Sequence, residues 1–454
     1  MSTTVDEAGA RRPTTPSPPG PPPTPRDRVP HTIPPLIRRN TILLALTQAF
    51  VGMGNQTTPT IAPIIVVQML GSATLSGLGS SILGLSRLII AFPVGWLTDR
   101  YGRKAGLMLG LWLSLIGTLI LGSAMIVGSF ALVVVGLVVF GMGVGAAQQL
   151  RLAAADMFVP GRRGEGLGYV LTGSMIGAVA APVLFWGGEM LAGVTGQDRV
   201  TGIWFLAPVI IVPSMLLVLL VRPDPKTIAQ NLEQYYPGYV APPSERAPAP
   251  RGSRVRAWLR NYPLTTAFAS SFAALGTMTM MMAMTALALD HHGYGLTLIS
   301  VSASLHTIGM FGFSIPFGRL SDTYGRRNIM LVGNVVIALG SIFVGTSPDY
   351  FVITLGTFLV GVGWSCVNVS SSALITEVVG PSERGRAIGL SDTISQASTI
   401  VLPLAAGPLV EWAGLPTLAV VTFLVLVGPI IMLARLREPS PGQYAHGPKA
   451  EPAM

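Results

Sequence analysis

Twelve stretches of about 20 mainly apolar residues recur along the chain, and no other feature restricts the fold as tightly. Each is long enough to cross about 30 Å of hydrocarbon as a helix. Inside lipid every backbone N–H and C=O must be satisfied within the protein, so stretches of this length cross as α-helices. They lie near 41–66, 74–98, 105–126, 129–151, 166–190, 202–221, 263–288, 297–320, 328–346, 350–374, 387–412 and 415–435. Only 11% of the 454 residues are charged, against about 25% in soluble domains, as membrane burial requires.

The rest divides around these spans. Residues 1–40 form a Pro/Arg-rich stretch without the apolar core of a cleavable signal and are expected to be a disordered cytoplasmic tail. Residues 41–221 make an N-terminal six-helix bundle, 222–262 a cytoplasmic linker, 263–435 a C-terminal six-helix bundle and 436–454 a second cytoplasmic tail. With the N-terminus inside, all but two of the 29 Lys and Arg fall on the cytoplasmic side; Arg199 lies outside and Arg87 within a span. This agrees with the positive-inside rule and accounts for the net charge of +9 without nucleic acid. Cys366 has no partner cysteine, so disulfides and cysteine metal sites are excluded.

The two bundles share a pattern. Gly95-Trp96-Leu97-Thr98-Asp99-Arg100-Tyr101-Gly102-Arg103-Lys104 returns as Gly318-Arg319-Leu320-Ser321-Asp322-Thr323-Tyr324-Gly325-Arg326-Arg327. A second motif around Asp156 returns around Glu377 at nearly the same offset. Parallel six-helix repeats about an axis along the membrane normal are one of the transporter plans. A carboxylate and basic groups in a glycine turn can pair with each other or with a neighbouring helix N-terminus, which suits a latch made in one conformation only.

The repeated segment resembles the signature G-x-L-[ST]-D-R-x-G-R-[RK] of the major facilitator superfamily (MFS). The first copy matches throughout; the second carries Thr323 in place of arginine. The resemblance implies an all-α integral membrane fold of twelve transmembrane helices in two pseudo-symmetric six-helix bundles. It also implies a cavity between them and alternating access. It further implies that Asp99 engages the start of helix 11, and Asp322 that of helix 5, when the cytoplasmic side is shut. The gating set is then Gly95, Asp99, Arg100, Gly102, Arg103, Lys104, Gly318, Asp322, Gly325, Arg326 and Arg327.

A duplicated scaffold supplies symmetry, so substrate chemistry is expected where the halves disagree. Arg87 lies near the middle of the second span, opposite Met310 in the repeat, where an unpaired arginine costs at least about 2.5 to 3.5 kcal/mol. It either holds an anionic group or pairs with an internal acid. His306 stands opposite Leu83 and either relays protons or serves as a hydrogen-bonded structural residue. Asp392, with Gln396 on the same face, stands opposite Leu171 and is a candidate for proton coupling or for the gate. Asn55, Gln56 and Asn368 are cavity-lining or helix-packing hydrogen bonders.

The methionine run of the seventh span (Met278, Met280, Met281, Met282, Met284) suits an apolar ligand, although its positions point all round the helix. The glycines at 141, 143, 145, 361 and 363 lie within helices, where close packing is the better reading. No Gly-Lys dipeptide exists, so a P-loop is excluded. No catalytic or metal-ligand arrangement stands out, so the chain is read as a non-enzyme without cofactors or a metal site. Two departures from the family's drug/proton antiporters are Leu137, where arginine is common, and the late Gly187-Gly188.

The leading expectation is proton-coupled efflux of small amphipathic compounds. The alternatives are proton-coupled uptake of a small organic anion and a membrane sensor without flux. Expected partners are the solute, protons and the lipid bilayer, with the chain a monomer. The expected address is a bacterial plasma membrane with both termini cytoplasmic.

Overall fold

The computed structural model describes residues 32–159, 162–237, 239, 253–379 and 384–437. No strand occurs among them. The first half contains α1 (Pro35–Leu70), α2 (Gly77–Tyr101), α3 (Arg103–Val127), α4 (Phe130–Ala147, continued as Gln149–Asp156), α5 (Arg163–Thr195) and α6 (Arg199–Leu206, continued as Pro208–Leu220). The second contains α7 (Tyr262–His291), α8 (Leu296–Gly312, continued as Ser314–Tyr324), α9 (Arg326–Thr346), α10 (Tyr350–Val378), α11 (Arg384–Ala413) and α12 (Thr417–Arg435). Among the described residues ten helices are long and apolar enough to cross a membrane, and α8, bent by 42° at its break, makes an eleventh; α1, 36 residues long, covers the first expected span. The expected spans therefore coincide with these twelve helices.

Two boundaries differ from expectation. Helix α1 starts at Pro35, so residues 35–40, expected in the tail, are helical. Asn40 ties this turn down by donating to the Arg222 carbonyl at 3.1 Å. The linker also begins with structure: Asp224 caps a short helix, Pro225–Gln230, and accepts from the backbone N–H groups of Arg103 and Lys104, both at 3.0 Å. A carboxylate at the start of α3 satisfies donors that a helix N-terminus leaves open.

The exterior is studded with exposed Phe92, Val183, Phe351 and Trp412. A large apolar surface of this kind needs a nonaqueous neighbour, which the acyl chains of a bilayer supply. The interior belongs to α7, the most enclosed helix, with Met280, Met281 and Met284 packed in the core. Glycines permit the close crossings. A Cβ on Gly361 of α10 would lie 2.4 Å from the His306 carbonyl of α8, and one on Gly143 would lie 2.5 Å from the Ser114 nitrogen of α3. The packing reading of these glycines follows.

The two repeated motifs meet each other within each half. Arg103 donates from Nε to Asp156 at 2.7 Å, and Arg326 donates to Glu377 at 2.7 Å. The next residue then clasps the end of the last helix in its bundle. Lys104 donates to the Leu219 carbonyl of α6 at 3.1 Å, and Arg327 to the Leu433 carbonyl of α12 at 2.8 Å. The turn that aims these side chains passes through Gly102 (φ 100°) and Gly325 (φ 93°), a backbone region closed to most L-residues.

Candidate functional site

The halves meet along α1 with α7, α2 with α11 and α5 with α8, and a cavity of ≈ 210 Å³ lies between them. At the end remote from the repeated loops, called here the far end, the halves are sealed. Ser81 donates to the Ile400 carbonyl at 2.7 Å, Thr297 donates from Oγ1 to Glu189 at 2.5 Å, and Arg199 pairs with Asp290. Gly77 makes the closest approach, since a Cβ there would stand 1.8 Å from the Pro403 carbonyl oxygen.

The loop end differs. The Asp99 side chain is 79% exposed and faces Arg103 of its own half at 3.7 Å, while Asp322, 67% exposed, pairs with Arg326 at 2.5 Å. Lys226 of the linker donates to the Asp99 backbone carbonyl at 2.5 Å, and Arg100 stacks on Trp96 and Tyr101. Among the described residues neither aspartate touches the opposite half. The Cβ positions of Gly95 and Gly318 have no neighbour closer than 3.8 Å, so these two glycines serve no tight crossing.

The cavity forms where the two halves disagree. Arg87 and its repeat counterpart Met310 both line it, as do His306 and its counterpart Leu83. Arg87 fits because Gly145 of α4 leaves room beside it; a Cβ there would lie 3.0 Å from the Arg87 Cα. Its Nε is buried without a hydrogen-bond partner. The ring of His306 is anchored through Nδ1 to the Thr357 carbonyl at 2.7 Å, while Nε2 is buried and unpaired. Asn55 lines the wall with an unpaired Oδ1, one heptad from Gln48, which donates to Ser174 at 2.9 Å. Met278, Met282 and Phe311 form an apolar side.

Other candidates stand elsewhere. Asn368 is exposed on α10 and takes no part in the cavity wall, and Gln396 likewise lies off it with its Oε1 buried and unpaired. Asp392 is exposed on α11, two turns beyond the cavity-lining Thr399. The Gln56 side chain lies outside the described residues. Of the methionine run, Met278 and Met282 reach the cavity and the other three are core, so none faces lipid.

Arg151, the last residue of the expected fourth span and counted there with the cytoplasmic-side basic residues, lines the cavity. Helix α4 breaks at Gln148 and resumes at Gln149, carrying Arg151 inward rather than into a loop. Its guanidinium lies 5.9 Å from the ring centroid of Phe311, across the boundary between halves, and is coupled electrostatically to Asp392. The unbroken apolar stretch Leu152 to Ala155 behind it was the available signal.

Comparison with known proteins gives a consistent assignment. The family model described as Major Facilitator Superfamily matches residues 44–300 and 266–453. The uncharacterized MFS-type transporter YdeG of Bacillus subtilis (strain 168) is 26% identical over 403 residues, covering 88% of this chain and 90% of its own. The riboflavin transporter RfnT of Brucella anthropi is 25% identical over 409 residues, covering 87% and 96%. Among solved structures, a bacterial homolog of the human lysosomal transporter Spinster, inward-facing and unoccupied, superimposes with a TM-score of 0.66 at 16% identity, covering 88% of this chain and 96% of its own.

Proposed function

The chain belongs to the Major Facilitator Superfamily, and we propose that it is a secondary active transporter moving small amphipathic solutes across a bacterial plasma membrane by alternating access. The observation that carries this reading is the unequal state of the two ends. The far end is sealed by contacts between halves, while among the described residues Asp99 and Asp322 at the loop end pair only within their own halves. A cavity between the two halves of a duplicated frame, closed off at one end by contacts between them, is what one state of an alternating-access cycle requires.

The walls set the solute class. An apolar side of methionines and Phe311 faces arginines and unpaired polar atoms, which favours a molecule with an apolar body and a polar head. A relative named as a riboflavin transporter is compatible with a mixed cavity of this kind. Export driven by protons is the leading direction, with Asp392 as the proton carrier and both termini cytoplasmic. A second reading, uptake of a small organic anion, draws on the two cavity arginines.

Purified protein in liposomes tests the proposal. Solute movement that follows an imposed pH gradient, and reverses when the gradient is reversed, supports proton-coupled transport. Movement indifferent to the gradient defeats the coupling, and no movement of any amphipath defeats the transport reading.

A further inference from the structure

Resting on the reading that this cavity carries the solute, we propose that the substrate is an amphipathic acid whose anionic group is held by Arg87 and Arg151, and that Asp392 competes with it for Arg151. Both arginines line the same cavity, and both have a buried Nε without a hydrogen-bond partner. A buried guanidinium Nε left without an acceptor is costly, and that cost is relieved by an acceptor entering the site.

The positions along the helices place the two groups at successive depths. Gly145 packs against the Arg87 backbone, and Arg151 lies six residues further along α4, a rise of about 9 Å towards the loop end. On the opposite wall Thr399 packs beside Gly84, and Asp392 lies seven residues nearer the loop end on α11, about 10 Å away. Gly84 stands three residues, about 4.5 Å, above Arg87 on α2, so Asp392 lies about 6 Å and Arg151 about 9 Å below Arg87, within one helical turn of each other in depth. They act on each other electrostatically without forming an ion pair within 4.0 Å, and the Phe311 ring lies against the Arg151 guanidinium.

Charge decides between ligand classes. Two guanidinium groups face one carboxylate, so a cationic solute would add to the imbalance and a neutral one would leave it. A carboxylate, sulfonate or phosphate ester balances it, and each offers the paired oxygens that a guanidinium binds in a fork. Met278, Met282 and Phe311 then take the apolar body. Because the acid occupies the guanidinium that Asp392 otherwise neutralises, binding releases Asp392 from its counter-charge. Solute binding is in this way linked to the ionisation of an exposed carboxylate on the other half of the protein.

The test uses three probes with one apolar body: 4-phenylbutyrate, 4-phenylbutan-1-ol and 4-phenylbutylamine. Binding to the full-length purified protein is measured by thermal shift and calorimetry. The acid is expected to bind at least about tenfold more tightly than the alcohol or amine. Arg87→Gln and Arg151→Gln should each remove that preference, Arg151→Lys should keep part of it, and Asp392→Asn should tighten the acid several-fold. Asp392 is exposed, so its variant remains informative if an arginine variant fails to fold.

Equal binding of the amine, no binding of the acid, or an acid preference that survives both glutamine variants overturns the anion site. Unchanged acid affinity in Asp392→Asn overturns the competition. Labelling of single cysteines at the two ends, run on the same preparation, separates this from the transport reading. Alternation without acid binding removes only the anion site, whereas a protein that never alternates removes alternating access itself.

Discussion

Arg103 Nε and Asp156 Oδ2 stand 2.7 Å apart, and the repeat reproduces the pair as Arg326 and Glu377 at the same 2.7 Å. The first of each pair comes from the glycine turn between the second and third helices of its bundle, the second from the end of the fourth. Two motifs that recur at almost one offset are thus halves of one ion pair.

That pair is expected to hold each bundle together. Its members are only 19% and 24% exposed in the first half, so solvent screens it weakly. Arg103→Ala leaves Asp156 without its charged donor and should cost about 2 kcal/mol, the range for a hydrogen bond to a charged group. Thermal unfolding in detergent measures this, and the reversed pair Arg103→Asp with Asp156→Arg should recover much of the loss. A variant as stable as the parent would show the pair to be incidental.

Gly77→Ala is expected to act on conformation. A methyl group there would stand 1.8 Å from the Pro403 carbonyl oxygen, which is incompatible with the sealed far end. The substitution should favour the state in which that end is open. In a Cys366→Ser background, Ser72→Cys at the far end should label faster and Thr393→Cys at the loop end more slowly. Unaltered rates would mean that the contact yields without moving the halves.

Asp99→Ala should push the other way. Its carboxylate is 79% exposed here, so stability of this state should change by well under 1 kcal/mol. If the aspartate latches onto α11 when the loop end shuts, its loss should enlarge the loop-end-open population, with faster labelling at Thr393→Cys. An unchanged labelling ratio would remove the latch role.

Tyr236 gives a prediction in pH. It is fully buried where the linker docks on the first bundle, donating to the Met157 carbonyl at 3.2 Å. Burial, followed by the opposing influence of Arg162 and the reinforcing one of Glu165, pushes its hydroxyl up to about 12 from 10. The neutral form is the one the fold prefers. Docking strength is therefore complete below pH 10 and is lost as pH rises from 10 through about 12. Alkaline titration followed by tyrosinate absorbance should show this late group, and Tyr236→Phe should remove it while costing about 1 kcal/mol for the lost hydrogen bond.

The spans were legible because lipid demands length and apolarity, both properties of a one-dimensional string. Arg87 and His306 were legible because a duplicated sequence exposes its own exceptions, and both line the cavity. Arg151 was not, because Gln148, Gln149 and Arg151 together read as the polar end of a span, although the apolar residues 152–155 behind them continue the helix. Which face a mid-span residue presents depends on how neighbouring helices cross. Asn368 therefore proved exposed on α10, away from the cavity wall, although its residue type suited the site.

The clasps of Lys104 on α6 and Arg327 on α12 bear on how force passes through the molecule. Helices three and six of each bundle are fastened at their ends, so under the proposed rocking neither would slide past the other. Each bundle would then turn as a stiff lever, with the strain of a cycle falling on parts that can give. The 42° break of α8 between Gly312 and Ser314 is where such a joint would be expected. A stroke that begins as small displacements in the cavity can then reach the loops undiminished.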